Sequence, residues 1–586
     1  MIALRPRLRS SLPLVALWLA SCAAGSATHA PTAADAAQPA VARGALEARG
    51  ATVVDRLLDL GRRDNRVDEH LRYLTRVVGP RLTGSHDLEA AQRGCRDRFA
   101  SWGLDASIET WGSVPVGFDR GPRSGGMVAP VRQAYEFTTS AWTPGTDGPR
   151  RGPALAFPLA EAELEALRPR LAGAWLVRPT ADQVAAELER SWIATVGEAL
   201  VEAGGAGEVR SSGGDLVHTG GRYAVEWDDL PRKVSITLRG DQHQDLFERV
   251  ARGEPVELEF DVDNRFYEGP VEQHNVVADL VGTELPDEYV IVCAHLDSWD
   301  GAEGCVDNGT GVATTLEAAR LLAAAGARPR RTIRFILWSG EEQGLLGSRA
   351  WVEQHADLLP RISAVFNHDE GTNYLAGLHV TPEMAPQLEA ACAPVFDLDP
   401  TMPFRLQSGD GLPAAASSDH ASFVRAGVPG FFWIQEGRSD YEHQHHTQYD
   451  TLDAAIPEYQ HHSALVVALT AYGTAELPDL LDRTNMAPIP DRKMGVQLDG
   501  TVVRLVLDDG MAARAGWQRG DVILSVDGQD VADVRAVVRE LQAGGPEKSF
   551  LLRRGEETFT TVLDYSDDPG ELERVRRREA RNRPGN

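Results

Sequence analysis

The sequence predicts an α/β fold with a mixed, mostly parallel sheet and an inserted β-rich module. Apolar runs at Tyr289–Ala294 and Ile333–Trp338 are typical of buried strands, and a helical pattern separates them. Strand and helix patterns go on alternating from about residue 275 to residue 475, which favours βαβ units. Between about residues 125 and 268, short β-like runs alternate with Gly-rich turns and two helical stretches, and we expect a separate module there.

The patterns along the chain predict its domain boundaries. They are an export signal at 1–22, a disordered tether at 23–50, the N-terminal part of the α/β domain at 51–125, the inserted module at 126–268, the catalytic part of the α/β domain at 269–480, a Pro-rich linker at 481–491, a compact C-terminal module at 492–565 and a charged tail at 566–586.

The N-terminus has the pattern of an export signal. A basic stretch precedes Leu12–Ala20, an apolar run too short to span a bilayer. The Leu-Ala-Ser-Cys that ends at Cys22 resembles a bacterial lipobox. This resemblance implies cleavage before Cys22, a lipid anchor on its thiol and, because Ala23 follows, sorting to the outer membrane. A plain signal peptide is the alternative, and both interpretations predict an exported protein.

Composition limits the partners and the kinds of site. Asp and Glu outnumber Lys and Arg by 86 to 59, which gives a formal net charge of −27. Such a surface repels phosphate backbones, so we expect no nucleic acid partner. The four cysteines beyond Cys22 form no Cys-x-x-Cys pair, which argues against a thiolate metal site. A disulfide between Cys293 and Cys305 is left open by their spacing.

Acidic and imidazole residues follow the predicted strands at their carboxyl ends, the edge where open α/β sheets place their sites. A two-zinc site needs about five ligands, one of them a bridging carboxylate, and an open position for water. Taken singly, each candidate has an ordinary structural role, such as a helix N-cap at Asp369. Their common position at strand ends favours a two-zinc hydrolase. The candidates are His295, Asp307, Glu341, Glu342, Asp369 and His446, with Asp297 and Asp450 as acids that orient the two imidazoles.

Residues 492–565 resemble a PDZ domain. The resemblance rests on Gly520–Gly528, which reads Gly-Asp-Val-Ile-Leu-Ser-Val-Asp-Gly. It implies that the edge strand after Met494-Gly495 binds an extended peptide or a C-terminus by β-augmentation. The loop that would hold a terminal carboxylate departs from the usual Gly-Leu-Gly-Phe type.

The motifs around the candidate ligands are similar to those of the cocatalytic zinc exopeptidases, a family that includes bacterial aminopeptidases. They are His-x-Asp, Asp-Asn-Gly-Thr-Gly, Glu-Glu-x-Gly, a downstream Asp and His-Thr-x-x-Asp-Thr. The longer string His-Leu-Asp-Ser-Trp-Asp resembles the carboxypeptidase Q branch. The likeness covers about residues 55–125 and 270–475, and it implies the zinc-exopeptidase sandwich fold with a protease-associated (PA) domain as the insert.

The same resemblance implies a role for each candidate. One zinc would be held by His295 and Asp369, and the other by Glu342 and His446, with Asp307 bridging the two ions. Glu341 would be the general base toward a metal-activated water, and Asp297 would orient His295.

Other functions remain open from the sequence alone. A glutaminyl cyclase-type acyltransferase would have a related fold and a single zinc, and an envelope binding or scaffold protein could use a peptidase fold without catalysis. A serine peptidase is disfavoured because no Gly-x-Ser-x-Gly occurs. Aminopeptidase and dipeptidase activities are not separated by these residues. Asp419 is either a pocket residue or part of a packed turn, and Tyr441 is a candidate donor to the oxyanion.

Overall fold

The computed structural model describes residues 52–180, 190–409, 411–413, 418–484, 486, 492–507 and 510–566. The predicted export signal and tether, nearly all of the charged tail and most of the linker lie outside these residues, as does Cys22. Within the described part of the chain, no helix combines the length and the apolarity needed to cross a membrane.

Twenty strands and fifteen α-helices are defined over these residues. The strands are β1 Asp105–Ala129, β2 Gln133–Ala134, β3 Phe137–Thr138, β4 Arg150–Ala156, β5 Trp175–Val177, β6 Gly207–Ser211, β7 Ser235–Leu238, β8 Glu257–Leu280, β9 Leu285–His295, β10 Arg331–Trp338, β11 Ile362–Asn367, β12 Tyr374–Val380, β13 Arg405–Ser408, β14 Gly430–Glu436, β15 Val496–Asp499, β16 Val502–Val506, β17 Val522–Val526, β18 Gln529–Asp530, β19 Glu547–Arg554 and β20 Glu557–Asp564. The helices are Val53–Arg63, Val67–Arg72, His86–Ser101, Glu161–Leu167, Arg190–Glu202, Gly240–Ala251, Thr310–Ala324, Leu346–Gln354, Ala385–Ala391, Ala393–Phe396, His420–Arg425, Tyr441–Gln444, Pro457–Ala475, Met511–Arg514 and Val534–Gln542.

Four neighbouring strands form the centre of the α/β domain. They lie in the order β14-β11-β9-β10, and each pair within this set is parallel. The strands β12 and β8 flank the set and run antiparallel to it, and β13 lies parallel to β12 at the edge. This confirms the predicted α/β class with a mixed, mostly parallel sheet.

The core of this domain lies between the sheet and two apolar helices. Helix Thr310–Ala324, which follows β9 in the chain, packs against helix Pro457–Ala475, and both contribute buried residues to one cluster with β9, β10 and β11. Helices that are apolar on most of their faces are expected to be buried within a domain. The sheet edge that carries the candidate ligands is therefore supported by a packed layer of helices.

Two long antiparallel strands connect the α/β domain to the inserted module. The strand β1 pairs with β8 from Asp105 opposite Asp279, beside β10, to Ala129 opposite Glu257, where β4 also pairs with β8. The local sequence pattern favours a strand only near residues 106–111. The observed strand is much longer because β8 supplies pairing partners even where β1 is rich in Gly and Pro, residues with low β-propensity.

The inserted module has its own core and contains helices as well as strands. Its strands β4, β5, β6 and β7 are parallel neighbours, and three helices lie between or after them in the chain. Trp175, Ile236 and Phe260 are among the fully buried residues of its core. The sequence predicted two helical stretches in this β-rich module, and the structure has three α-helices among its described residues.

The C-terminal module is an antiparallel sheet, in the order β15-β16-β17-β19-β20 with β18 paired to β17, around a separate core that includes Val503, Trp517 and Phe550. The cysteines Cys95, Cys293, Cys305 and Cys392 are buried free thiols, so the disulfide that the sequence left open is not formed.

Candidate metal centre

The candidate ligands meet because the strands that precede them are parallel neighbours. His295 is the last residue of β9, Glu341 and Glu342 follow β10, and Asp369 follows β11. His446 comes from the segment after β14, the fourth strand of the parallel set. Asp307 lies just before helix Thr310–Ala324, in a turn whose Asp307–Asn308 peptide bond is cis. The structure therefore brings all six sequence-predicted residues to one edge of the sheet.

Asp307 lies between two groups of possible ligand atoms. Its Oδ1 is 3.2 Å from Nε2 of His295, and the same Nε2 is 3.2 Å from Oδ1 of Asp369. Its Oδ2 is 3.1 Å from Nε2 of His446, which in turn is 2.9 Å from Oε2 of Glu342. Ligands of a tetrahedral zinc at about 2.0 Å lie roughly 3.3 Å apart, so both groups have the spacing of a metal site.

Burial and mutual charge perturb the titration of this cluster. Burial lowers the pKa of His446, but its hydrogen bonds to Asp307 and Glu342 outweigh burial and raise that pKa to about 10. Burial raises the pKa of Glu342 to about 7, and the charge of Asp307 adds to the effect. Burial also raises the pKa of Glu341 well above its usual value, with Asp369 adding to it and His295 opposing it.

This donor set fits a pair of divalent cations. It combines two imidazoles with carboxylates that are nearly fully buried, and buried carboxylates need a compensating positive charge. The raised pKa values of His446 and Glu342 follow from the same close packing of buried carboxylates. Imidazole and carboxylate ligands are those that zinc takes in hydrolytic sites.

Asp297 acts in a different way from the one predicted. Nδ1 of His295 lies 3.0 Å from the backbone oxygen of Asp297, whereas the nearest carboxylate oxygen is 3.8 Å away. The carboxylate instead accepts the backbone N–H groups of Glu341 and Glu342, both at 3.3 Å, and the Thr83 hydroxyl at 3.0 Å. Its backbone fixes the tautomer of His295, since that N–H needs a carbonyl acceptor, and its side chain holds the turn that presents the two glutamates.

Asp450 does not orient His446, and that prediction is wrong. Its carboxylate accepts the backbone N–H of Val306, next to Asp307, and is fully buried. Burial raises the pKa of Asp450 to about 8, and the charge of Asp307 adds to the effect. The acid therefore positions the turn of the bridging carboxylate rather than an imidazole, because that turn has backbone donors that only this buried oxygen reaches.

Glu342 is fixed by a backbone donor that the sequence did not indicate. Its Oε1 accepts the backbone N–H of Trp299 at 3.2 Å, so that Oε2 faces His446. Asp419 is also fully buried near the cluster, where burial raises its pKa to about 7 and the charges of Asp297 and Asp369 contribute. Asp419 therefore lies within the electrostatic field of the site, and its complete burial leaves both interpretations of its role open.

A loop of the N-terminal segment stabilises the backbone beside the metal centre. The buried guanidinium of Arg81 donates to the backbone oxygens of Leu296 at 2.7 Å and of Gly304 at 2.6 Å. Ser298 donates its backbone N–H to the oxygen of Arg81 at 3.1 Å. The sequence placed Arg81 in a Gly- and Pro-containing loop without a role. A basic residue in a loop has no local signal for a contact that lies more than 200 positions away in the chain.

The inserted module contacts the loop that carries His446. Thr219 donates its backbone N–H to the backbone oxygen of His446 at 2.7 Å, and His446 has a left-handed backbone with φ of 57°. Gln448 accepts the N–H of Val217 at 2.7 Å and donates to the oxygen of Asp215 at 3.0 Å. These contacts make the module part of the wall of the centre.

Comparison with known proteins assigns two parts of the chain. Residues 275–471 match the model described as "Peptidase family M28", and residues 502–554 match the model described as "PDZ domain". Carboxypeptidase Q of Rattus norvegicus is 27% identical over 429 residues, which cover 72% of this chain and 88% of the relative. A protein of Pyrenophora tritici-repentis named "Probable zinc metalloprotease" is 28% identical over 268 residues, which cover 38% of this chain and 61% of the relative.

A solved structure shares the fold. The peptidase M28 precursor from Shewanella amazonensis SB2B superposes with a TM-score of 0.51 at 24% sequence identity, over 73% of this chain and 97% of that one.

Proposed function

This chain belongs to peptidase family M28 and carries a C-terminal PDZ domain, and from that premise we propose that it is a zinc-dependent exopeptidase exported from the cell. The proposed reaction is hydrolysis of a peptide bond near a free terminus, as an aminopeptidase or as a carboxypeptidase Q-like dipeptidase. The name of the Pyrenophora relative supports zinc as the metal, and the buried imidazole and carboxylate donors fit it.

One observation carries the proposal. The two oxygens of Asp307 face different imidazoles, His295 at 3.2 Å and His446 at 3.1 Å. A carboxylate placed in this way can bridge two ions. Asp369 would complete the set on the His295 side and Glu342 the set on the His446 side, and each ion would then have three protein ligands and an open position.

Each residue of the proposed site would have its own role in the reaction. When bound, two zinc ions would lower the pKa of a water and polarise the scissile carbonyl. Glu341 would take a proton from the attacking water and deliver it to the leaving amine nitrogen as the C–N bond breaks. Asp297 would hold Glu341 in reach through the backbone of the turn, and the insert would exclude bulk water beside His446.

The test uses the purified full chain with amino-acid arylamides, dipeptides and tripeptides. We expect hydrolysis of substrates with a free terminus, loss of activity after chelation and recovery with zinc at two ions per chain. A peptide blocked at both ends is the control and should not be cleaved. Activity that survives complete metal removal would exclude the mechanism, and a single ion with cyclisation of N-terminal glutamine would favour the cyclase-type alternative.

Export and anchoring form a separate proposal that rests on the sequence alone. Cys22 at the end of the Leu-Ala-Ser-Cys string would carry a lipid anchor and place the enzyme in the cell envelope. Its substrates would then be envelope or extracellular peptides, with a further peptide or C-terminus as the ligand of the PDZ domain. Cys22→Ser should leave the exported protein in the soluble periplasmic fraction. A variant that still partitions with membranes would exclude the anchor.

A further inference from the structure

His445 is an imidazole beside the proposed ligand His446 that the five-ligand assignment leaves without a role. Its Nε2 lies 3.8 Å from Oδ2 of Asp307. One ligand atom each from Asp307, His445 and His446 lie within 4.8 Å of one another. The ring therefore faces the same oxygen of the bridging carboxylate that faces His446.

His445 lies on the solvent-exposed side of the centre. Its side chain is 39% exposed, whereas those of His295, Asp307 and Asp369 are at most 7% exposed. Because those three groups are nearly closed to solvent, a peptide has to approach the centre from the side on which His445 and the 30% exposed His446 lie. His445 therefore lies where the scissile carbonyl must enter.

The ring of His445 is held in place before any substrate arrives. It stacks on Tyr441 with centroids 4.9 Å apart and packs at a tilt of 34° against His446 with centroids 3.7 Å apart. Its backbone N–H donates to the oxygen of Tyr441 at 2.7 Å. A side chain packed against two neighbouring rings loses little freedom when it forms a hydrogen bond, which is what a preorganised catalytic donor requires.

The number of ligands argues against metal binding by His445. Since Asp307 offers one oxygen to each side, the ion on the His446 side already has three protein ligands. A fourth would close the position that water or substrate needs in a catalytic site. The imidazole is thus available to the substrate rather than to the metal.

We propose that His445 is a further catalytic residue that donates its Nε2–H to the carbonyl oxygen of the scissile bond as negative charge develops there. The inference rests on the proposed peptidase function. The water oxygen bonds to the carbonyl carbon, Glu341 carries the water proton to the leaving nitrogen, and the C–N bond breaks. His445 keeps its proton throughout and contributes only a hydrogen bond that is strongest in the transition state.

Four variants of the full chain test this role. His445→Ala removes the donor, and His445→Gln keeps an N–H in the side chain. Tyr441→Phe removes a hydroxyl but keeps the ring that packs on His445. His443→Ala is the matched control, since that exposed ring stacks on Tyr449 with centroids 4.4 Å apart, away from the cluster. The readouts are zinc per chain, kcat and KM on one dipeptide, and the affinities of a phosphinic pseudopeptide and of the dipeptide's product.

We expect His445→Ala to keep both zinc ions and to lose kcat by about 10²–10³-fold, with KM nearly unchanged. The phosphinic pseudopeptide mimics the tetrahedral oxyanion and should lose affinity by a similar factor, whereas product affinity should not change. His445→Gln should recover part of both losses, and His443→Ala should resemble the unmodified protein. Tyr441→Phe separates the two candidate donors, because a defect equal to that of His445→Ala would assign the hydrogen bond to the Tyr441 hydroxyl instead.

Three results would overturn the role of His445. They are the loss of a zinc ion in His445→Ala, a kcat that stays close to the unmodified value, and the same defect in Tyr441→Phe. In all three cases the proposed function still holds, provided that the unmodified protein is active and that a chelator abolishes this activity. If the unmodified chain has no such activity, the proposed function fails and the role of His445 fails with it.

Discussion

At the scale of single residues, Glu341 and Glu342 are consecutive acids whose surroundings give them different roles. Glu342 is fixed by the N–H of Trp299 and faces His446 at 2.9 Å. Glu341 lies among the charges of His295, Asp369 and Asp419. Of the two, Glu342 has the contacts of the proposed ligand, which supports Glu341 as the proposed base.

Glu341→Gln should keep both metal ions and lose nearly all turnover. The amide preserves size but cannot accept a proton, and loss of a general base costs about 10²–10⁴-fold in rate. The measurements are zinc per chain and kcat, with Glu342→Gln as the matched control that should lose an ion. Near-normal turnover in Glu341→Gln would show that another group is the base.

Asp297→Asn should weaken metal retention and activity although Asp297 is not a proposed ligand. Its two oxygens accept the N–H groups of Glu341 and Glu342, and an amide would turn an N–H donor toward one of them. Loss of such a supporting carboxylate costs about 10–100-fold in metal affinity or rate. Competition with a zinc chelator measures the affinity.

Thr83→Val serves as the milder comparison for Asp297→Asn. It removes the hydroxyl that donates to Asp297 at 3.0 Å but leaves both backbone contacts in place. If Asp297→Asn binds zinc as tightly as the unmodified protein, the turn is held by other contacts and the role given to this carboxylate is wrong.

At the same scale, the sequence indicated the residues that project from strand ends but not those that support them. His295, Asp369 and the Glu341-Glu342 pair each follow an apolar run directly, so strand pattern and topology together predict where they lie. Arg81 and the Trp299 N–H act through backbone contacts with distant segments. A sequence pattern carries no signal for which backbone atoms a loop will meet, and for the same reason it assigned Asp450 to the wrong partner.

At the scale of elements, the inserted module and the His446 loop form one unit. Gln448 is the side chain that joins them, because it contacts Val217 at 2.7 Å and Asp215 at 3.0 Å. These contacts lie next to the Thr219 hydrogen bond that meets the left-handed backbone of His446. A non-glycine residue in that conformation needs support from its surroundings.

Gln448→Ala should therefore lower the affinity of the ion on the His446 side while the chain stays folded. We expect a loss of about tenfold, at the lower end of the range for residues that support metal ligands. The measurement is the zinc dependence of the melting temperature and the zinc content after dialysis. Gln444→Ala is the control, because Gln444 contacts Ser439 at 2.9 Å within its own segment. Equal zinc retention in the two variants would contradict the link.

The sequence predicted the elements of the α/β domain better than those of the insert. The buried parts of β9 and β10 are largely apolar, and helix Thr310–Ala324 keeps a continuous pattern, so both are visible locally. The long pair β1 and β8 is stabilised by mutual pairing across residues of low propensity. The full length of such a strand depends on its pairing partner. The pattern of residues within one segment therefore cannot predict where the strand ends.

At the scale of the whole molecule, three separate cores lie in the α/β domain, the insert and the C-terminal module. Buried histidines that stay neutral occur in more than one of these parts. Burial lowers the pKa of His243, in the insert, and of His420 and His462, in the α/β domain, to about 4 in each case. The stability of the molecule should therefore fall in mild acid for a reason unrelated to the metal centre.

The pH dependence follows from the direction of these shifts. The folded pKa of His243 is about 4, below the unfolded value of 6.5, and the Arg178 guanidinium adds to the effect of burial. Above pH 6.5 neither state binds the proton, and the stabilisation is complete. As pH falls from 6.5 toward 4 only the unfolded chain binds it, which costs about 1.4 kcal/mol per pH unit for each such histidine.

His243→Gln should reduce this acid sensitivity. Glutamine keeps a donor for the backbone oxygen of Arg178, which Nε2 of His243 contacts at 2.9 Å, but it does not titrate. Between pH 7 and pH 5 the variant should lose about 2 kcal/mol less free energy of unfolding than the unmodified protein. Urea unfolding with a chelator present measures this difference without a contribution from metal release, and the exposed His218→Gln is the control. An equal loss in His243→Gln and the unmodified protein would show that His243 is protonated alike in the folded and unfolded states, and the acid sensitivity of the insert would then have to come from its carboxylates.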